Sequence, residues 1–575
     1  MPKSDILSLR GGRECGRRSN PINFMRLLHP LARLWRARGF AMTAFLLISF
    51  GCRSNSAKET YSLAGIDATP AAGGTFIEAS IADASMLNPV LATDSASNDI
   101  NGLVYNGLVK YDKNIKLIGD LAESWEVSKD GKNITFHLRN GVKWHDGEPF
   151  TSQDALFTYQ VLVASTTRTP YTADFQLVEK AEAPDPLTFK VRYKEPFSPA
   201  LESWGMGIIP KHIYEKGDVN SNPANRSPIG TGPYIFQKWL TDQKIVLTAN
   251  PDYFEGRPHF DRFIYYIIPD QSVQFLELRQ GSLSEMTLTP DQYKGYPEFF
   301  EHYNKYRYPA FRYDYIGFNL KNELFQDRRV REAIAHAIDK KAIINGVYQG
   351  LGVPATGPFP PTSWAYNPDV KDFDYDTQKS LALLKDAGWE DSDGDGILEK
   401  ANRKLEFTLI TNNGNEVRSM IAQIVQNNLA KVGIKMDIRL LEWTVFIHQY
   451  IDARVFDATL LGWNLSRDPD AFTIWDSKQT GPNQYNFVSY SNPEVDKLLA
   501  EGRRTFGEEK RKPIYQKIHR LIAADIPYVF LAVPDSLPVV HKKILGVEVT
   551  PAGIGWNFIH WYIPKKWQNR YSFSS

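Results

Sequence analysis

The chain has 575 residues, too many for one hydrophobic core, so two or three domains are expected, and 42% apolar with 13% aromatic residues is the content of a globular protein rich in rings. Its formal charge of +1 hides a division: residues 1–52 hold nine of the 67 Lys and Arg but two of the 66 Asp and Glu, which leaves the rest with 58 basic and 64 acidic residues, a net −6. No basic face for nucleic acid follows from that balance, and Cys15 and Cys52, the only cysteines, leave nothing beyond residue 52 for disulfides, thiol nucleophiles or cysteine-bound metals.

Arg26, Arg33, Arg36 and Arg38 precede Phe40–Phe50, an uncharged apolar run too short to span a bilayer. Ile48-Ser49-Phe50-Gly51-Cys52 then puts a small residue before a cysteine and resembles a lipobox, with Ser49 where Leu is usual. Residues 1–52 are therefore expected to be an export signal, with Met25 a candidate start. Cys52 is expected to carry a lipid that anchors the protein to a bacterial membrane, in the periplasm or at the cell surface. Residues 53–73, rich in Ser, Ala, Thr and Gly, read as a flexible tether.

Gly74–Ile81 alternates as a strand does and breaks at Ser85-Met86-Leu87-Asn88-Pro89. Asn101–Tyr111 is a strand-like apolar run with Asn-Gly punctuation. Leu121–Val127 and Ile134–Arg139 flank a hairpin turn at Asp130-Gly131, and Thr151 caps a helix through Asp154–Ala164. Gly230-Thr231-Gly232-Pro233 is a tight turn feeding a strand from Tyr234, with a second strand at Ile245–Thr248 and another turn at Asn250-Pro251-Asp252. Val330, Ala333, Ile334, Ala337 and Ile338 share one side of a helix over Asp327–Ile344, and Gly350–Pro361 is a loop. Gln378–Ala387 and Glu416–Val432 are amphipathic helices, and Leu405–Ile410 and Lys435–Leu440 are strands, an α/β alternation. Asn492–Glu501 and Glu509–Asp525 are helices, and Tyr528–Val533 is an apolar strand.

No GxSxG, SxxK, HExxH or Walker A motif occurs, so no enzyme is expected and the chain does not hydrolyse ATP. His137, His145 and Asp146 lie close together but flank a turn, and a structural role is expected. Asp391, Asp393 and Asp395, with Gly396, reproduce the start of an EF-hand loop. Glu399 stands at loop position 9, and Asn402 replaces the final Glu. The loop is a candidate for a structural calcium or a solvated acidic turn, and no other cofactor is expected.

Several strings in consistent order carry a resemblance. Ser227–Gly256 is similar to "GTGPY…W…NPDYF.G.P", and Leu121–Tyr159 to "LA.SWE.S.DG…TFHLR.GVKWHDGEPF…D…TY". With Val330–Asp339 and Leu460–Asp470, they make residues 73–565 resemble the family 5 extracellular solute-binding proteins, the dipeptide and oligopeptide receptors of ABC importers. The resemblance implies a two-lobed α/β fold of the type II periplasmic-binding-protein class with a hinge and an extra inserted domain. Lobe I would comprise residues 74–110, 228–308 and 530–570, the inserted domain 111–227 and the other lobe 309–529, with crossovers at Tyr308–Gly317 and Asp525–Val533. It further implies a monomer that closes on an oligopeptide and delivers it to a membrane permease powered by separate ATPase subunits. A receptor of this fold for an oligosaccharide or metal chelate, or a peptide sensor without transport, is the alternative.

The resemblance also assigns ligand residues. Gly462, Trp463, Asn464, Leu465 and Asp468 belong to the "GW…DPD" segment, whose backbone pairs with an extended ligand as an added strand. Met86, Leu87 and Asn88, with Tyr105 and Asn106, correspond to the first lobe's side of the cleft, and Tyr485 and Asn486 to another segment near it. In dipeptide binders an Asp shortly after the Trp clamps the ligand's amino group. Here the interval is one residue shorter and Ser466 or Arg467 falls at that place, which leaves room for a longer peptide or a non-peptide ligand.

Overall fold

The computed structural model describes residues 65–297 and 301–568. The expected signal segment, Cys52 and most of the tether lie outside the described residues, among which no helix is long and apolar enough to cross a membrane.

Phe76 organises the first sheet. Its strand, Thr75–Ser80, runs parallel to Arg262–Ile267, and Lys244–Ala249 and Tyr234–Leu240 follow in antiparallel order. Phe260, Phe263, Phe558 and Trp561 surround Phe76 with ring centroids 4.7–5.9 Å away, contacts that add to simple area burial. A second, antiparallel sheet runs in the order Ala122–Val127, Asn133–Leu138, Thr188–Tyr193, Val178–Asp185. Beside it the helix Ser152–Val163 begins at Thr151, whose side chain and that of Asp154 form a capping box. Trp204 is met edge-on by Phe136, Phe175 and Phe189 and donates its indole N–H to Tyr193 Oη at 3.0 Å. One continuous core joins these two sheets, and it absorbs much of the aromatic excess.

The Gly230-Thr231-Gly232-Pro233 turn is a junction within that core. Gly232 N–H donates to Val104 O at 2.8 Å, at the end of the helix Ser95–Val104. A Cβ on Gly230 would stand 1.8 Å from the same oxygen, so only glycine fits. His145 closes the other side: its backbone N–H donates to Gly230 O (2.9 Å), its Nδ1 accepts from Gly230 N–H (3.2 Å), and its Nε2 donates to Gly232 O (3.0 Å). That arrangement needs a neutral ring protonated on Nε2, and burial pushes the His145 pKa down to about 4. Asp146 meets His212 at 2.8 Å, and His137 is half-buried beside Glu126.

The largest sheet takes the order Tyr308–Pro309, Tyr528–Ser536, Arg312–Phe318, Ala458–Asn464, Glu406–Asn412, Lys435–Leu441, with Gly352–Pro354 also on Tyr528–Ser536. One face packs against the helices Arg328–Ala337 and Glu416–Ala430, the other against Pro493–Arg504 and Glu508–Asp525. The expected single helix over Asp327–Ile344 is broken: Ile338 is extended and Asp339 caps a new turn by accepting from Ala342 N–H at 2.9 Å. Asn428 holds the break by accepting from Asp339 N–H at 3.1 Å, a tertiary contact that helical periodicity cannot reveal. Ile526 ends the last long helix in the left-handed region (φ 52°), and buried Arg331 donates to Ile526 O (3.0 Å) and Asp525 O (2.6 Å) there.

Two neighbouring chain segments run on from this sheet into a fourth, three-stranded one. Tyr528–Ser536 continues as Pro538–His541, and Tyr303–Lys305 precedes Tyr308–Pro309; Glu285–Thr287 completes the small sheet.

The neutral His145 junction has a pH signature. Between its ordinary value of 6.5 and about 4, the unfolded chain takes up a proton that the folded ring refuses. Stability present above that window is therefore lost as pH falls through it, by about 3 kcal/mol for this group. In His145→Gln, urea unfolding is expected to show a shallower fall across the window, and an unchanged slope would refute the role given to the ring.

Candidate functional site

The site begins where the large sheet splits. Ala458–Asn464 pairs along its whole length with Arg312–Phe318, but on its other side it meets Glu406–Asn412 only at Leu409↔Ala458 and Ile410↔Thr459. Thr411 Oγ1 donates to Leu460 O at 2.8 Å in the fork, and beyond it, among the described residues, the edge of Leu461–Asn464 has no strand beside it. Glu406–Asn412, Lys435–Leu441 and Ala458–Asn464 run parallel and end at this gap. Open α/β sheets bind ligands at the carboxyl ends of such strands. A cavity of about 690 Å³ fills the gap, within the roughly 300–1,000 Å³ of small-molecule sites.

Gly462 forms the floor because nothing larger fits: a Cβ there would lie 2.4 Å from the Asp314 carboxylate. Asp314 is 2% exposed and accepts from Arg312 (2.5 Å) and Tyr348 Oη (2.8 Å). Arg418 stands 3.9 Å from it and donates to Asn412 Oδ1 at 2.7 Å. Asp314 strengthens the hold of Arg312 on its proton, whereas burial lowers the pKa of Arg418. Two guanidiniums against one carboxylate leave the floor with a surplus positive charge.

The walls are aromatic and the rims are pinned. Trp463 meets Tyr485 edge-on at 5.3 Å and stacks with Phe487 at 5.9 Å. Across the cavity, Tyr485 Oη donates to Tyr171 Oη at 3.2 Å, and Tyr171 Oη donates to Ala92 O at 2.7 Å. On one rim Arg503, 4% exposed, pairs with Asp174 (2.5 Å) and Asp470 (2.7 Å), and its backbone oxygen accepts from Ser198 N–H at 2.7 Å. On the other, Glu416 N–H donates to Gln271 Oε1 at 3.0 Å. Between the rims Glu202 lines the cavity, and burial followed by repulsion from Asp468 pushes its carboxyl up to about 7.

Of the residues expected at the ligand, Gly462, Trp463, Asn464, Leu465, Asp468 and Tyr485 line the cavity. Asp468 is already engaged there, since Arg511 grips its carboxylate at 2.5 and 2.7 Å. Met86, Leu87, Asn88, Tyr105, Asn106 and Asn486 do not line it. Met86 and Leu87 pack into the first core. Asn88 donates to Asn225 (2.9 Å), Tyr105 Oη to Leu87 O (3.4 Å) and Asn106 to Asp120 (3.0 Å). Asn486 donates to Asp476 O and Tyr490 O. Their place on the near wall is taken by Ile81, Ala82, Asp94 and Asn98, which flank the turn that sequence reasoning chose. Arg312, Asn412, Arg418, Trp443 and Tyr171 were also missed. Arg418 had a signal: it lies three and four positions before Ile421 and Ala422, on the buried face of its helix.

The acidic loop gathers three of its carboxylates. Asp391, Asp393 and Asp395 are exposed and within 4.8 Å of one another. Asp391, however, accepts from Gly394 and Gly396 N–H, Glu399 accepts from Ser392 N–H, and Lys404 pairs with both Asp393 and Asp395. Lys404 is the side-chain cation beside these carboxylates among the described residues.

Residues 116–485 match the family model "Bacterial extracellular solute-binding proteins, family 5 Middle". The oligopeptide-binding protein AppA of Bacillus subtilis is 35% identical over 507 residues, 86% of this chain and 93% of AppA. Its structure with a nonapeptide superposes with a TM-score of 0.83 at 34% identity, covering 86% of this chain and all of that one. Heme-binding protein A of Haemophilus influenzae is 28% identical over 89% of this chain and 96% of its own length. NikZ of Campylobacter jejuni, solved with Ni(L-His), matches with a TM-score of 0.77 at 28% identity over 86% of this chain and 99% of its own.

Arg503→Met removes the buried cation and leaves the half-buried Asp174 and Asp470 facing each other without it. Urea unfolding is expected to report a loss of about 3–5 kcal/mol, and a loss under about 1 kcal/mol would show that the contact carries little.

Proposed function

The chain belongs to the bacterial extracellular solute-binding proteins of family 5, and we propose that within this family it is the oligopeptide receptor of an ABC importer. Family membership makes it a solute-binding protein of the periplasmic-binding-protein fold, not an enzyme. The observation that carries the peptide reading is the unpaired edge of Leu461–Asn464, which opens into the cavity. Such an edge offers N–H and C=O groups in register with any extended peptide, so affinity comes from main-chain pairing and is indifferent to most side chains. Likeness to a protein whose structure holds a nonapeptide supports the same reading.

The remaining assignments follow from it. A receptor without a phosphate-binding loop needs separate permease and ATPase subunits, and Cys52 would tether it by lipid to the membrane they occupy. Residues 74–110, 228–308 and 530–570 would form one lobe, 111–227 the inserted domain and 309–529 the other lobe. Support comes from sheets that draw on residues 75–80 and 234–267 for the first and 122–193 for the second, while the large sheet of the third draws on 308–536 and so takes in residues 308 and 530–536 of the first. A metal chelate or haem, as the names of two relatives describe for those proteins, finds less support here: no histidine lines the cavity among the described residues. The stacked wall of Trp463 and Phe487 favours an oligosaccharide as the second reading.

Native followed by denaturing mass spectrometry of the gently purified protein tests the proposal. A ladder of co-purified peptide masses that is lost on denaturation is expected. A protein that carries no peptide, and whose melting temperature rises with oligosaccharides or chelates but not with a peptide library, refutes it.

A further inference from the structure

A second cavity of about 340 Å³ lies beside the main one, at the small end of the roughly 300–1,000 Å³ of small-molecule sites. Phe311 and Ser363 line both, so one wall divides them. Tyr308, Phe311 and Trp364 give the second chamber three rings, and Arg467 gives it a cation whose guanidinium carbon stands 4.5 Å from the Phe311 ring centre. Among the described residues no carboxylate pairs with Arg467, and the neighbouring Asp468 is committed to Arg511. Ile115 reaches this chamber at a conformational cost. It closes a turn in which Asp112 O accepts from its N–H (3.1 Å), while the Asp112 carboxylate accepts from Asn114 N–H (2.9 Å) and Lys116 N–H (2.8 Å). Its φ of 62° is left-handed backbone, which suits glycine or asparagine and disfavours a β-branched residue. Strain of that kind gathers where a particular side chain is needed, and this side chain lines the chamber.

We infer that this chamber is a ligand site separate from the main cavity, and that it takes a small carboxylate carried on an aromatic ring. Three rings offer area to a flat apolar body, and the unpaired guanidinium supplies the charge-assisted hydrogen bonds that a carboxylate accepts. The site stands whether or not the main cavity holds a peptide. Its regulatory consequence rests on the peptide reading and on the division into lobes proposed above. Trp364 and Arg467 belong to the lobe of residues 309–529, whereas Ile115 and Thr550 lie outside it. An occupant that touches both groups favours the arrangement in which they face each other. It and a peptide that favours the same arrangement then strengthen each other by the same factor.

Calorimetric titration of the purified protein with indole-3-acetate and its neutral analogue indole-3-acetamide tests the site. The acid is expected to bind about tenfold more tightly than the amide, and Arg467→Gln should abolish that preference. Ile115→Gly is expected to leave the urea midpoint no lower yet to weaken the acid, which separates a strained ligand residue from a structural one. A saturating alanine-rich nonapeptide should leave the acid bound and tighten it about fivefold. Equal affinity for acid and amide, a preference that survives Arg467→Gln, or expulsion of the acid by the nonapeptide overturns the site. An acid affinity that the bound nonapeptide leaves unchanged overturns the coupling alone. If the acid binds and no peptide does, the peptide reading falls and the site stands.

Discussion

Arg503 is the contact on which the shape of the cleft depends. Its buried guanidinium satisfies Asp174, from the region of the antiparallel sheet, and Asp470, just past the open strand of the large one. The arginine could not be buried without these carboxylates, which are themselves half-buried beside it. The same logic repeats two residues earlier, where Asp468 takes Arg511. Asp468-Pro469-Asp470 is thus a connector that ties the end of the ligand-facing strand to two long helices, each acid matched to one arginine. Asp468, assigned to the ligand by resemblance, is spent on architecture.

Much of the fold was legible because it rests on local rules. The Thr151 capping box, the Asp130-Gly131 turn and the strands after Pro233 and Asn250 are encoded within a few residues of where they act. The recognisable Gly230-Thr231-Gly232-Pro233 string proved to be half of a junction whose other half, His145, lies in another recognisable string. The site was legible in part. The strand bearing Gly462 and Trp463 was found, but Asn88, Asn106 and Asn486 look like ligand groups only until their partners are seen. A polar residue in a turn advertises a need for hydrogen bonds and says nothing of what meets that need. Lys404 does the same to the acidic loop.

The aromatic content divides along similar lines. Rings around Phe76 and Trp204 are core, whereas Trp463, Tyr485 and Phe487 present a wall to the cavity and remain packed on one another. A wall of rings tolerates varied side chains because it offers area without directional demands, while the strand edge beside it supplies the directional contacts.

The floor beneath Gly462 has an electrical consequence. Mobile ions screen charges that solvent reaches, over about 10 Å at moderate salt, and act far less on buried ones. Arg418 and Asp314 are buried and Arg312 is half-buried, so salt screens their surplus positive charge less than it screens a fully exposed one. Ionic strength therefore slows the approach of a charged solute from outside more than it weakens the preference for which end of that solute settles over Gly462.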